Sequence, residues 1–386
     1  MTELVEWYPY FPMRILRTKG IYMLAEDGKR YMDTFSGLGV QLLGHEYEPV
    51  MRKMHRKMRR YTHVSNFFKD EDLEPCVEGL MEASGLRGGV FFTNSGTEAC
   101  ECAMKIVKKH AVASRRKVLH FKQAFHGRTL GALSINGFEG LTRAFQPLLP
   151  DTVELPWNDP LAFNEYMGKF GEQVVAVFVE VVQGAGGVRV MSREMIQALQ
   201  EWREKTGFWL VCDEIQSGLG RTGTMFSYQH DAMIPDMVLL GKGLGGGLPL
   251  GGVILHENLK GCLLPGDHGS TFAPNPVALA GCRVLMNLLP AFLPLVQERS
   301  VEVLRLIQEE LGAYITEIRG RGYMIGIELN EAMPSLRMHA MKEQQLLLNV
   351  LQDRLIRLLP PLNISMAQWK KMIQGLALSL EEVSRC

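Results

Sequence analysis

The sequence predicts an α/β fold: a mostly parallel central sheet covered by helices, with a smaller α+β domain beside it. Three observations carry that prediction. From Leu73 onward, apolar runs of strand length (GGVFF, KVLHF, VVAVFVE, FWLVC and Met237–Leu240) alternate with helical patterns. Several of these runs are uninterrupted, as strands buried on both faces are. Residues able to do chemistry stand directly after the runs, where the carboxyl ends of parallel strands gather functional groups.

In chain order, GIYMLAEDGKRYMDTF places Tyr22 and Leu24 against Tyr31 and Phe35 across Asp27-Gly28, a hairpin signal. A basic helix follows from Val50 (VMRKMHRKMRRY), whose charge run reads as a solvated face. Helices are expected over 73–84, opening near Thr97, and over 192–205, and strands over 117–121, 174–180 and 208–212. Near Pro274 and Pro276 the pattern changes to a long helical stretch, Val277 to Leu311, broken near Pro290 and Pro294. The strand-like YMIGIEL and the segment RLIRLLPPLNIS come after it. The expected division is therefore 1–50 as an N-terminal segment packing with the small domain, 51–272 as the large domain and 273–386 as the small domain. At 386 residues the chain is long enough for two domains and a large core.

Composition excludes several classes. Lys plus Arg and Asp plus Glu number 42 each, so no excess of either sign points to nucleic acid or an anionic membrane. No uncharged run approaches the roughly 18 apolar residues of a membrane helix. The opening MTELVEWYPYFP lacks the basic-then-apolar plan of a signal peptide. The 7 cysteines are irregularly spaced and read as core thiols of a reducing cytoplasm. Cys100 and Cys102 have no second pair to complete a metal site, and the histidines show no ligand spacing, so no metal is expected. The 22 methionines read as core filler.

Lys242 stands just past the strand Met237–Leu240, between Gly241 and Gly243. A desolvated lysine there becomes a nucleophile suited to a Schiff base, the alternative being a glycine-rich turn with a solvated lysine. Gly241, Gly243 and Gly246 fit the dinucleotide pattern, but no helix begins inside them, and Gly243 denies the phosphate loop its hydroxyl. After VFF, Ser95, Gly96 and Thr97 open a helix, as an anion site or as a plain N-cap. After VLHF come Phe125 and His126, an aromatic face for a planar ring or for core packing. After FWLVC, Asp213 needs a partner at its buried strand end, a protonated ring nitrogen or Arg221. Phosphate cradle, stacking ring, carboxylate and Schiff-base lysine are together the four needs of pyridoxal phosphate.

The ordered motifs SGLGVQLLGH, FFTNSGTEA, FHGRT, CDEIQSGLGRTG, GKGLGGGLPLGG, HGSTFAPNP and RLIRLLPPL span nearly the whole chain. With them the sequence resembles the class III, fold-type I pyridoxal-phosphate aminotransferases, closest to the acetylornithine and ornithine branch of arginine biosynthesis. The resemblance implies pyridoxal 5'-phosphate held by Ser95, Gly96, Thr97, Phe125, His126 and Glu180. It implies Asp213 at the ring nitrogen, Gln216 near the ring hydroxyl and Lys242 as the catalytic Schiff-base lysine. It further implies Arg128 and Arg357 as carboxylate binders, and Ser270 and Thr271 reaching the neighbouring subunit's site in a cytoplasmic homodimer, Thr271 at the phosphate.

The pattern departs from the family where Ala185 replaces the second glutamate of E-P-[IV]-Q-G-E-G-G, which in relatives pairs with the arginine matching Arg357. It departs again where Ala273-Pro274-Asn275 replaces G-G-N. The expected function is transfer of the ω-amino group of an ornithine-like donor, such as N-acetylornithine, to 2-oxoglutarate. The alternatives are an amine, diamine or 4-aminobutyrate transaminase, a racemase or decarboxylase, or a non-catalytic dimer partner.

Overall fold

A computed structural model describes Val5 and residues 7–385. Part of the stretch used to read the N-terminus as lacking a signal peptide (Met1–Leu4 and Glu6), together with Cys386, lies outside the described residues.

Seven strands form the central sheet: β1 (Gly88–Thr93), β2 (Lys117–Phe121), β3 (Thr152–Leu155), β4 (Val174–Val179), β5 (Trp209–Asp213), β6 (Met237–Leu240) and β7 (Gly251–His256), in spatial order β1-β7-β6-β5-β4-β2-β3. All run parallel except β7, which is antiparallel to both β6 and β1. Every residue of β4 and β6 is buried, the physical reason their sequences are apolar without alternation. The covering helices carry their own start and stop signals. Ser95 caps Gly96–His110, its hydroxyl accepting from Glu98 N at 3.3 Å, and Ser192 caps Arg193–Thr206, which stops at Gly207 with φ 65°.

Residues 15–33 form strands Ile15–Lys19, Tyr22–Ala25 and Arg30–Asp33, and the last pairs with Leu346–Leu347 from the far end of the chain. A second four-stranded sheet joins Ile315–Arg321, Met324–Leu329, Leu355–Leu358 and Asn349–Leu351 in that order. One continuous core runs from Leu119 and Val177 of the central sheet to Ile325, Ile356 and Trp369. The long helical stretch breaks at Pro290 into Pro276–Leu288, a 3-10 turn over Leu289–Phe292, and Leu293–Leu311. Pro294 falls in the first turn of the second helix, where its missing N–H leaves nothing unpaired. By length and composition 276–314 is apolar enough to cross a membrane. Its first helix, however, packs Val277, Leu285 and Met286 among Val50, Met54, Cys76 and Leu80 of the helices Glu48–Met58 and Leu73–Ser84.

The helix Glu48–Met58 corrects one sequence expectation. Its charges do not all face water: Lys57 is 2% exposed, and its Nζ lies 2.9 Å from both Asp70 and Asp72 and 3.1 Å from Glu71. Lys53 and Arg283 add ion pairs to Asp72 at 2.9 and 2.8 Å.

Candidate active site

The carboxyl ends of β4, β5 and β6 are neighbours, so Glu180, Asp213 and Lys242 come side by side by topology alone. β7 starts at the same end because it runs backward, pairing Gly251 with Thr93, and this brings the helix start at Ser95–Thr97 to the group. Glycine makes the closure possible: a Cβ on Gly241 would stand 3.1 Å from Gly96 Cα, and one on Gly96 would strike Ile215 at 2.6 Å. The result is a cavity of about 650 Å³ lined by Ser95, Gly96, Thr97, Phe125, His126, Arg128, Glu180, Ala185, Asp213, Gln216, Lys242 and Arg357.

Lys242 takes a left-handed backbone, φ 43°, rare for a side chain with a Cβ and of the kind concentrated at functional sites. Burial strips water from its ammonium and, with Arg357 adding to the effect, brings its pKa down to about 8, although Asp213 and Glu180 pull the other way. No carboxylate lies within ion-pair distance of it among the described residues.

Asp213 does not pair with Arg221. Its Oδ2 meets His126 Nδ1 at 2.7 Å and its Oδ1 accepts from Ile215 N at 3.0 Å. Arg221, wholly buried, donates from Nη1 to the Pro360 carbonyl, and burial lowers its pKa to about 9. For His126 burial favours the neutral ring, but the Asp213 carboxylate outweighs it and raises the pKa. Asn136, which the sequence did not single out, fixes the loop: its Oδ1 accepts from His126 N at 2.6 Å and its Nδ2 donates to Gly127 O at 2.8 Å. Glu180 is buried and accepts from Phe125 N at 3.0 Å and Gly184 N at 3.3 Å. Burial, reinforced by Asp213 and opposed by His126, raises its pKa to about 7.

Arg357 sits on Leu355–Leu358 directly across from Asn349, and its Nε donates to that residue's Oδ1 at 2.9 Å. Its Nη1 donates to Gly184 O at 3.0 Å and to Gln216 Oε1 at 3.2 Å. All three acceptors are neutral, and burial lowers its pKa to about 10. Asn349 was also invisible in the sequence, because only strand register brings it opposite. Arg128 is exposed, its guanidinium carbon 5.5 Å from the centre of the Phe125 ring. Thr97 Oγ1 faces Thr129 Oγ1 at 3.0 Å. Ser270 and Thr271 do not line the cavity: Ser270 Oγ accepts from Asn94 Nδ2 of its own chain at 2.8 Å, and Thr271 is exposed.

A cavity at the strand ends of this sheet, holding a desolvated lysine, a histidine-backed aspartate and a carboxylate-free arginine, defines a class. The family described as Aminotransferase class-III matches residues 5–380, and the chain belongs to the class-III aminotransferases. It is a transaminase of the fold-type I architecture and, as that family is, pyridoxal-phosphate-dependent. Acetylornithine aminotransferase of Aquifex aeolicus is 35% identical over 367 residues, covering 94% of this chain and 96% of that one. Acetylornithine aminotransferase of Bacillus anthracis is 37% identical over 369 residues, covering 95% and 94%. Among solved structures, ornithine aminotransferase from Toxoplasma gondii superimposes with TM-score 0.92 at 28% identity, over 99% of this chain and 93% of that one.

Proposed function

We propose that this transaminase takes the ω-amino group of an ornithine-like donor, N-acetylornithine in particular, and delivers it to 2-oxoglutarate. The names of its relatives support the donor, and the observation that carries the reading is Arg357, a buried guanidinium at the cavity wall with no carboxylate partner among the described residues. Both N-acetylornithine and 2-oxoglutarate bring a carboxylate, the planar partner a guanidinium binds in bidentate fashion. A simple amine or diamine brings none, which disfavours that alternative.

The residues present fit pyridoxal phosphate. Free amides at the N-terminus of Gly96–His110, with Ser95 and Thr97, suit its phosphate. Phe125 suits the ring face, Gln216 the ring hydroxyl and Asp213 the ring nitrogen, with His126 and Glu180 supporting the last from behind. Bound there, the cofactor supplies an electron sink for the carbon that loses its proton.

The chain's own residues do the rest. Asp213, held in place by His126, would keep a proton at the ring nitrogen. Lys242 Nζ would hold the cofactor, and as a neutral amine it would accept and return the proton at the substrate carbon. Its lowered pKa makes the neutral amine accessible near pH 8. Arg357 and Arg128 orient the substrate carboxylate. Thr271, exposed and outside its own cavity, belongs in this reading to the partner's phosphate site in a homodimer. The six described cysteines are buried free thiols, which supports a reducing cytoplasm.

The proposed division is an N-terminal segment (1–50) and a C-terminal domain (273–386) flanking the large domain (51–272). A screen of N-acetylornithine, ornithine, 4-aminobutyrate and cadaverine against 2-oxoglutarate and pyruvate tests the reading. N-acetylornithine with 2-oxoglutarate should give the highest kcat/KM, and preference for cadaverine would overturn it.

A further inference from the structure

His120 Nδ1 and His126 Nε2 are buried ring nitrogens with no hydrogen-bond partner among the described residues. A buried polar atom is costly until something satisfies it, and the sheet places these two on one face. The His126 ring packs edge-on against Phe178 of β4, with 6.0 Å between ring centres. On one side Phe178 pairs with Val211 of β5, two residues before Asp213. On the other side β2 pairs Leu119 with Val177, so the next residue, His120, flanks Phe178. Side chains two apart along a strand share a face. Asp213 therefore lies on the face of Val211, and His120 on that of Val118, and both valines pack in the same core cluster as Phe178. His126 thus sits over β4 between an aspartate on β5 and a histidine on β2. Its Nδ1 is turned to Asp213 at 2.7 Å, and Nε2 leaves the ring in nearly the opposite direction.

Charge sets the direction of the hydrogen bonds. Burial works against a charge on His126, but Asp213 and then Glu180 overcome it, so the ring holds both hydrogens and Nε2 is a donor. For His120 burial wins: its pKa falls to about 3, the charge of His126 adding to the effect, and the neutral ring keeps a lone pair. Three other titratable groups surround the pair. Glu154 stands beside His120 on β3 and is exposed. Glu101 accepts from Ala132 N at 3.1 Å, and burial holds the Cys100 thiol protonated.

We infer that one buried water links the two rings, accepting from His126 Nε2 and donating to His120 Nδ1, and that His120 is thereby a positioning residue for Asp213. A water so placed satisfies both nitrogens at once. It also fixes the state of His126. A ring whose Nε2–H has an acceptor keeps its second hydrogen, and Asp213 keeps the cation that holds it ionised. The inference rests on the proposed role of Asp213 at the cofactor's ring nitrogen. It adds to that role a residue from a strand that lends no side chain to the cavity wall.

Isotope-labelled histidine lets each imidazole be read by NMR in cofactor-free protein and in holoenzyme, the signals being assigned by their loss in single variants. In the wild type His120 should be neutral with its hydrogen on Nε2, and His126 should stay doubly protonated well above the ordinary value of about 6.5. His120→Phe fills similar space without an acceptor. It should lower the His126 midpoint by about one pH unit or more, the size of one hydrogen bond to a charged group. His120→Asn returns an acceptor and should recover most of that shift, and His120→Leu serves if the phenylalanine variant does not fold. In the holoenzyme the alkaline limb of the kcat profile should move down in pH with the His126 midpoint, KM for donor and acceptor being unchanged. A hydrogen on His120 Nδ1 in the wild type overturns the link. So does an unmoved His126 midpoint in the folded apolar variant, or an equal shift in the apolar and asparagine variants. A shifted His126 midpoint beside an unmoved kcat profile would leave the link standing and count against the ring-nitrogen role of Asp213.

Discussion

Two lysines of this molecule, the buried Lys57 and the half-buried Lys242, have opposite fates. Lys57 is surrounded: Asp70, Glu71 and Asp72 take its ammonium at 2.9 to 3.1 Å, and although burial opposes the charge, these contacts raise its pKa above the ordinary value. Lys242 faces a cavity with no carboxylate in ion-pair contact among the described residues, and burial wins, bringing its pKa to about 8. The same cost of desolvating an ammonium is offset in one place and left standing in the other. Where it is offset, the lysine ties elements together. Where it is not, the lysine has the character that the proposed role as a nucleophile toward a carbonyl requires.

The largest effect that could break this comparison is loss of the reactive amine. Lys242→Ala should leave the fold intact and reduce transamination to background, and borohydride treatment of the wild-type holoenzyme should fix the cofactor to the peptide containing Lys242. Turnover near the wild-type level by the variant would remove Lys242 from the chemistry.

Asp213→Asn comes next. It removes the charge that His126 backs at 2.7 Å, and electrostatic stabilisation at a reacting centre is worth several kcal/mol, so kcat should fall by at least about a hundredfold. A fall of less than about threefold would move the ring-nitrogen role elsewhere.

On the structural side, Lys57→Ala strands buried carboxylates and should cost about 3–5 kcal/mol of stability in denaturant melts, with kcat of the folded fraction unchanged. The sign with pH follows from Asp72. Burial opposes its charge, but Arg283, Lys53 and Lys57 win and hold its pKa down to about 2. A carboxyl depressed in the folded state contributes stability above its unfolded pKa of about 4 and loses it as pH falls toward 2. The gap between wild type and Asp72→Asn should therefore be constant above about pH 5 and close on acidification. A gap that persists undiminished at pH 2 would show that the pair is not what stabilises this region.

The smallest effect is one of preference. Ala185→Glu puts an acid beside Arg357, so kcat/KM for 2-oxoglutarate should fall and the relative rate with 4-aminobutyrate should rise, each by roughly tenfold for one charge-assisted pair. An unchanged order among glutamate, ornithine, N-acetylornithine and 4-aminobutyrate would show that this wall does not select substrate.

The contrast between the two lysines also marks what the sequence could tell. The position of Lys242 at a strand end in the cavity was legible because its signals are local: an apolar run, then the lysine between glycines. Asp213, Phe125 and Ser95 were legible for the same reason, each standing at the end of its own run. Lys57 was not, since its partners follow a loop and nothing in VMRKMHRKMRRY tells an inward charge from an outward one. His126 as the partner of Asp213, Asn136 behind His126 and Asn349 across from Arg357 all depend on contacts between distant segments or on strand register, which no local pattern records. Arg221 was offered as the partner of Asp213 on proximity in sequence, and packing instead turns it toward the Pro360 carbonyl.

The most direct measurement of the central claim titrates both lysines in one experiment. Cofactor-free protein would be labelled briefly with an amine-reactive reagent from pH 6.5 to 10, and the peptides holding Lys57 and Lys242 quantified by mass. The account predicts that Lys242 labels with a midpoint near pH 8 while Lys57 stays unlabelled until the protein unfolds. A Lys242 midpoint at the ordinary lysine value of about 10.4, or labelling of Lys57 in the native protein, would contradict it.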